Sequence, residues 1–366
     1  MARVLFLDPY HGPSHAALSR ALQSGSRHEV TLLTLPPRKW KWRMRGAALT
    51  LEPDMRSLRP PDLLIVTDML NLPETLAVMR GHWPSTLPVI AYFHENQLTY
   101  PVSGGDERDL HFGLANIYTA LVADRVLFNS RFHRDDFLSA IPPFLAKMPD
   151  GRPGDQAARI LERSEVLGIP LELPGETVDA IATAPPARPP WVLWNHRWEE
   201  DKGPAAFFRV MERLDAGGVE FRMAVAGQSF REAPACFESA RAALAHRIAH
   251  WGYLPAREEY LALAARCRVV VSTALHEFYG LAVREAIAMG CRPLLPRRVV
   301  YPEMVGGRPE CLYDTEEELV DRLASELSKG PAPADPILRR EILDGAQGGI
   351  LSRWDALIDE LVGARR

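Results

Sequence analysis

The sequence predicts an α/β protein made of two doubly wound domains. Three observations carry that expectation. In the first half, short runs that are apolar on both faces alternate with amphipathic segments, as parallel strands covered by helices on both sides require. The stretch APPARPP at 184–190 is the strongest linker signal in the chain, a cluster of chain-stiffening residues between patterned segments. Beyond it the alternation starts again.

Taken in order, strands are expected at 4–8, 30–35, 63–67, 89–93 and 125–129. Residues 14–23 place Ala17, Leu18, Ala21 and Leu22 at helical spacing. Residues 142–155 are rich in turn formers, and a charged helical segment follows. In the second half, strands are expected at 191–195, 221–226, 269–272 and 293–296, with helices between them. Residues 351–362 set Trp354, Leu357, Ile358 and Leu361 on one helical face, a stripe to bury. The expected division is a first domain at 1–183, a linker at 184–190, a second domain at 191–348 and a closing helix at 349–366.

Composition narrows the function classes. The 366 residues suit two domains and bury a core without disulfides. The chain is 47% hydrophobic and 25% charged, as an ordinary soluble enzyme is. Its net charge of −4 excludes a uniformly basic nucleic-acid binder, so any polyanion contact must be a local patch. Cys236, Cys267, Cys291 and Cys311 have no metal-finger spacing and lie in or beside apolar or small-residue runs. Buried free thiols in a reducing cytosol are the expectation. The opening Met1-Ala2-Arg3 runs straight into VLFLD without a signal-peptide pattern, and no apolar run approaches the roughly 18 residues of a membrane span.

In open parallel sheets, ligands bind outside the carboxyl ends of the strands, so chemistry is sought just after each strand. After the strand at 269–272 comes HEFYGLAVREAIAMG, with Glu277 and Glu285 in an E-x7-E pair. Gly280 sits where a loop turns into a helix and lets backbone approach a ligand closely. The N–H groups of Tyr279, Gly280 and Leu281, beside Phe278, are expected to face phosphate. Glu277 suits sugar hydroxyls and Glu285 a ribose diol. After the strand at 191–195 comes NHRWEEDKG, which begins with Asn195 and carries Arg197 and Lys202 five apart. Two cations there suit a leaving pyrophosphate, whose charge grows as the glycosidic bond breaks. A surface cluster is the competing reading, since Glu199, Glu200 and Asp201 offer partners to both. Gly227, in AVAGQSF at 224–230, ends a strand at a base-contacting position.

R-x4-K-G followed about 80 residues later by E-x7-E, in a two-domain α/β chain, resembles the retaining GT-B glycosyltransferases of family 4. The resemblance implies two Rossmann-like domains facing a cleft, with a C-terminal helix crossing back to the N-terminal domain. It implies donor-sugar binding by Glu277, ribose binding by Glu285, and neutralisation of the diphosphate by Arg197 and Lys202. It also implies retention without a metal or other cofactor, consistent with the absence of a D-x-D motif.

In the first half, DPYHGPSHAAL contains Gly12, then Ser14 as an expected N-cap, then His15. A plain cap and loop histidines compete there with acceptor contacts. AYFHENQLTYP places His94, Glu95 and Asn96 at a strand end, where loops on a rigid scaffold carry function. The GT-B resemblance puts a positioning and polarising role on His94. The implied mechanism is front-face substitution, with the leaving phosphate helping to deprotonate the acceptor.

The run RKWKWRMR at 38–45 interleaves Lys39, Lys41, Arg43 and Arg45 with Trp40, Trp42 and Met44. Read as extended chain, it puts cations on one side and rings on the other. Packing on the sheet, or an edge strand guarded by Lys, competes with an RNA contact in which rings stack on bases. DPYHGPSH, PPRKWKWRMRGAAL, FHENQLTYP, NSRFHRDDF and WNHRWEEDKGP together resemble the tRNA-queuosine α-mannosyltransferases. That resemblance implies GDP-mannose as donor and the queuosine cyclopentenediol of the aspartate tRNA anticodon as acceptor. Two other readings stay open. One is a GT-B hexosyltransferase acting on a glycan, lipid or small molecule; the other is an inactive tRNA-binding protein of the same fold.

Overall fold

A computed structural model describes residues 1–102, 108–151, 153–173, 187–229, 233–329, 335–344 and 349–364. The chain divides into Met1–Glu172 with Gly345–Arg366, and Leu173–Asp344. The boundaries thus fall at 172 and 344, where the sequence suggested 183 and 348. Of the linker, 184–186 lie outside the described residues. The remainder belongs to the second unit, where Ala187 N donates to Arg266 O at 3.4 Å.

The first unit holds a six-stranded parallel sheet: β1 (Arg3–Asp8), β2 (Glu29–Thr34), β3 (Leu63–Thr67), β4 (Val89–Phe93), β5 (Arg125–Phe128) and β6 (Ser164–Val166). Their order is β2-β1-β3-β4-β5-β6. β3 and β4 are buried along their whole length, which explains their unbroken apolar sequence. The second unit repeats the plan with β7 (Trp191–Trp194), β8 (Arg222–Ala226), β9 (Ile248–Gly252), β10 (Val269–Val271), β11 (Arg292–Pro296) and β12 (Leu312–Tyr313). Its order is β12-β11-β10-β7-β8-β9, again parallel. Each sheet reverses its winding beside its first strand, between β1 and β3 and between β7 and β10. Those are the switch points where doubly wound sheets open a ligand crevice.

The helix Gly349–Gly363 belongs to the first unit. Trp354 is fully buried, 5.6 Å from the Tyr92 ring. Asp355 accepts from Ser26 Oγ (2.6 Å) and Arg27 N (3.2 Å), closing the loop between the first helix and β2. The apolar stripe read from the sequence is therefore buried on the unit that opens the chain.

Three expectations are corrected. Residues 38–45 are not extended: Trp40–Ser57 is an α-helix whose N-cap, Lys39, is left-handed at φ 57° and ψ 49°. The period-2 alternation is local, whereas Met44, Ala47, Ala48, Leu51 and Met55 bury one helical face. Ser14 is not an N-cap, because the helix Pro13–Gly25 starts one residue earlier with Gly12 as cap and Pro13 in the first turn. Pro142 and Pro143 do not end their helix, which runs Arg131–Leu145 and keeps Ala146 N on Pro142 O at 3.0 Å.

Trp354→Ala should cost the first unit about 3–5 kcal/mol through the cavity it leaves. A urea titration read by far-UV circular dichroism measures this, and an unchanged midpoint would mean the helix is not docked.

Candidate active site

In the second unit, the loops after β7 and β10 are tied together. Trp194 Nε1 donates to Thr273 Oγ1 (3.1 Å), Thr273 Oγ1 donates to Lys202 O (3.0 Å), and Leu275 N donates to Asp201 O (2.8 Å). Gly203 makes that closeness possible, because a Cβ there would lie 2.3 Å from Thr273 O. Gly227 plays the same part after β8, where a Cβ would lie 1.8 Å from His196 O. Its backbone approach shapes the loops, which is the role the structure gives it.

This tie carries Lys202 into the protein. Its Nζ donates to His276 O (2.8 Å) and lies 3.0 Å from Asp201 Oδ2 and 3.5 Å from Glu277 Oε2. Glu277 Oε1 accepts from Gly280 N (3.1 Å) and Tyr279 N (3.4 Å). Two of the three amides expected to face phosphate are thus turned to Glu277, because the carboxylate sits within reach of the helix Leu281–Ala288 and caps its start. Burial alone would raise the Glu277 pKa. Lys202, His196 and the two amides outweigh it and hold the group at about 2. Phe278 and Tyr279 are buried as side chains, and the Arg284 guanidinium lies 4.4 Å over the Tyr279 ring. The Tyr279 backbone is engaged as well, its N–H by Glu277 and its carbonyl by Arg284 Nε at 3.1 Å.

Arg197 stands on the same turn as Lys202 and pairs with Glu199 at 3.0 Å, both half-exposed. Glu199 and Asp201, two of the three acids that competed with a diphosphate reading, are therefore engaged. An exposed pair of this kind is worth about 0–1 kcal/mol, so it yields readily to a ligand. Glu285 is buried and paired with Arg257 at 2.7 Å. Beside it, Asn195 Nδ2 donates to Ala282 O (2.7 Å) and Tyr260 Oη (2.9 Å), joining the end of β7 to the Glu285 helix. Sequence reasoning missed His196, Arg257 and Tyr260. His196 is buried among Lys202, Glu277, Asp201 and Arg197, and burial together with the cations depresses it to about 4. Its signal was its place at a strand end, the rule that singled out His94.

In the first unit, the switch point gathers a second polar cluster. Asp8 ends β1 and accepts from Thr67 Oγ1 (3.2 Å), with His15 Nδ1 3.0 Å away. The His15 ring stacks on His94 at 3.8 Å and 16°. Asp68 follows β3 and accepts from His94 N (2.8 Å), while Asn129 Nδ2 donates to His94 O (2.9 Å). His94 is 7% exposed, and neither ring nitrogen has a hydrogen-bond partner among the described residues. Asp8 and Asp68 were not singled out in the sequence, although each closes an apolar strand.

The expected acceptor residues separate here. Glu95 is half-buried and accepts from Gln97 Nε2 at 3.0 Å. Asn96 is fully buried, and its Oδ1 accepts from Leu98 N, Thr99 N and Thr99 Oγ1 at 3.0–3.2 Å. It folds its own loop and does not present that oxygen outward. His15 is likewise buried, and Gly12 caps a helix. Trp40 packs on Phe112 at 4.9 Å. Trp42 is 59% exposed and lies over Gly46, while Lys39 and Lys41 are exposed. Arg43 is half-buried, and Arg45 pairs with Asp109 at 2.9 Å. The first turn of this helix holds no acid, so its cations stand at the positive end of the helix dipole. Nearby, Met44, Arg45, His111, Phe112 and Tyr118 help line a groove of about 360 Å³.

Comparison with known proteins places the fold and the family. Residues 3–171 match the model described as tRNA-queuosine alpha-mannosyltransferase N-terminal, and 179–337 match glycosyl transferases group 1. A Drosophila melanogaster tRNA-queuosine alpha-mannosyltransferase is 34% identical over 337 residues, covering 87% of this chain and 85% of that protein. Among solved structures, sucrose-phosphate synthase from Thermosynechococcus elongatus aligns with TM-score 0.67 at 14% identity, over 99% of this chain and 100% of that one. An alpha,alpha-trehalose-phosphate synthase (UDP-forming) from Burkholderia xenovorans aligns with TM-score 0.65 at 14% identity, over 99% and 100%. Fold and site together define a glycosyltransferase of the GT-B class. The chain belongs to the tRNA-queuosine alpha-mannosyltransferase family.

Because the folded Glu277 pKa of about 2 lies below an unfolded value of about 4.3, its stabilisation is present above about pH 4.3 and is lost as pH falls toward 2. Glu277→Gln should remove that dependence, so its urea midpoint should fall less between pH 5 and pH 3 than that of the unsubstituted protein. Equal falls would place Glu277 in an unperturbed environment.

Proposed function

We propose that the chain transfers mannose from GDP-mannose to the cyclopentenediol of queuosine in the anticodon of aspartate tRNA, with retention and without a metal or other cofactor. The observation that carries this reading is the Lys202–Glu277 pair at 3.5 Å, with Lys202 buried and Glu277 partly so. It sets a cation for the diphosphate against an ionised acceptor for sugar hydroxyls. In the reaction the bond from the anomeric carbon to the diphosphate breaks, and a bond to the acceptor oxygen forms on the same face. The acceptor proton passes to the departing phosphate oxygen. Lys202 and Arg197 stabilise the charge that grows there, a differential effect that lowers the barrier. Glu285, steadied by Arg257, takes the ribose diol.

On the acceptor side, Lys39 and Lys41 supply charge for phosphates, and the exposed Trp42 ring supplies a surface for an unpaired base. The Trp40 ring is excluded from that role by its packing on Phe112.

The direct test is incubation with GDP-mannose or UDP-glucose and queuosine-containing tRNA, followed by mass spectrometry of the nucleosides. One added hexose on queuosine with GDP-mannose is the expected result, and no transfer from either donor refutes the reading. Glu277→Ala should lower turnover by at least about a hundredfold while the protein stays folded, on the scale of losing one electrostatic group at a reaction centre. Unimpaired turnover would remove this donor site.

Charge and stacking separate in a second experiment. Lys39→Ala with Lys41→Ala should reduce the slope of log affinity for tRNA against log salt by about 1.5. Trp42→Ala should weaken binding by roughly tenfold, from about 1–3 kcal/mol of stacking per base, and leave the slope alone. If neither change appears, the helix start is not an RNA contact.

A further inference from the structure

The first unit contains buried ionisable groups that the donor chemistry does not use. Asp8, His15, His94 and Asp68 meet at the switch between β1 and β3, fixed by the contacts given above. Four of their polar atoms are buried without a hydrogen-bond partner among the described residues: Asp8 Oδ2, Asp68 Oδ2, and both ring nitrogens of His94. A buried ring with neither nitrogen hydrogen-bonded among the described residues calls for an explanation.

Resting on the reading that His94 positions and polarises at the reaction centre, we infer that His15 is a positioning residue. Clamped by Asp8 and stacked face to face on His94, it fixes the His94 ring and, as an imidazolium, keeps that ring uncharged.

The geometry makes this more than a charge argument. Parallel rings at 3.8 Å and 16° leave His94 no room to tilt toward His15. On its other flank the Tyr92 ring meets His94 edge-on at 4.8 Å. The backbone is held from both sides, by Asp68 at its N–H and Asn129 at its carbonyl. The electrostatics agree in direction. Burial would lower the His15 pKa, but Asp8, with Asp68 and Glu95 behind it, pushes it up to about 9. Burial and the charge on His15 drive the His94 pKa well down, with His133 and His11 adding to the fall. Asp68 is raised by burial and by the neighbouring acids Glu95 and Asp8. The groups facing His94 are thus His15 and His11 from the chain after β1, Asp8 from β1, Asp68 from β3, Glu95 beside it, and His133 from the helix after β5. Asp8 and His15 form an ion pair at 3.0 Å beside the His94 ring, whose pKa lies well below the usual imidazole range. Neutral His94 retains one ring nitrogen as acceptor and one as donor, which suits a hydroxyl-bearing substrate.

The test is a ring-nitrogen NMR titration of the full chain from pH 5 to 8.5, with His94→Asn and His15→Gln as assignment variants. A kcat pH profile on the queuosine-containing tRNA runs alongside. The expected result is His15 charged at pH 7, His94 neutral throughout, and a His94 titration that moves upward in His15→Gln. The kcat of His15→Gln should show its acid limb displaced upward, with a loss of at least about threefold at pH 5.5 that shrinks toward pH 8. His15 neutral at pH 7 in the unsubstituted protein overturns the inference, whether or not the variant folds. So does a His94 titration unmoved in His15→Gln, or an acid limb unmoved in an enzyme that turns over. If the unsubstituted protein transfers no sugar, the proposed function fails, and the NMR arm still decides the state of His15.

Discussion

The approach of Lys202 to Glu277 is the contact on which the second unit's site depends. Two ions taken out of water cost several kcal/mol each, and replacing such a pair with apolar residues is commonly neutral or stabilising. The pair is therefore poor evidence for stability and good evidence for function. The surrounding framework supports this. Gly203 accepts a backbone contact that no side chain would allow, and Thr273 and Asp201 lace two loops together. Their combined effect is to hold an ammonium and a carboxylate beyond the ends of β7 and β10, two strands that are otherwise apolar. Each ion is also hydrogen-bonded by backbone: Lys202 to a carbonyl, Glu277 to two amides.

The first unit answers with the same topology and different chemistry. Its switch point also closes apolar strands with acids, Asp8 after β1 and Asp68 after β3. Instead of a Lys–Glu pair it buries two stacked histidines. A stack of two imidazolium rings would be repulsive in a low-dielectric interior, so at most one carries charge. Asp8 bears on which one by lying 3.0 Å from His15 Nδ1, whereas neither His94 ring nitrogen has a hydrogen-bond partner among the described residues. The carboxylate on the first strand of the chain is the largest charge acting on that asymmetry, with Asp68 and Glu95 behind it.

Much of this was legible in sequence, and the exceptions have physical causes. β3, β4 and β7 read clearly because both faces are covered, so their sequences are apolar without interruption. β6, β9 and β12 did not. β6 is SEV at a sheet edge, β12 has two residues, and β9 is half-buried throughout with a histidine inside it. Edge strands carry less apolar signal, so their pairing is visible only once the central sheet exists. Lys202 and Glu277 were found by spacing. Asp8 and Asp68 were not, because each is a polar residue with partners in distant segments, as Asp8 and Thr67 are across 59 positions, and His196 was passed over for the cations of its own run. The run at 38–45 misled for a different reason. Eight residues are too few to separate period 2 from period 3.6 when the deciding apolar positions lie downstream, at Ala47, Leu51 and Met55.

That helix start is built against its own stability. Lys39 adopts a left-handed backbone at φ 57°, which costs a non-glycine residue about 1–3 kcal/mol. Four cations between positions 39 and 45 crowd the end of the helix where acids are favoured and none is present in the first turn. Trp42 leaves most of its ring in water even though the groove-lining and core residues beside it offer apolar surface. Each feature would be relieved by an ordinary substitution: glycine at 39, an acid in the first turn, a polar residue at 42. A single ligand chemistry offsets all three together, an anionic backbone with an unstacked base to lay on the indole. A small neutral acceptor would meet neither the cations nor the indole, and it is the proposed RNA acceptor that would use both.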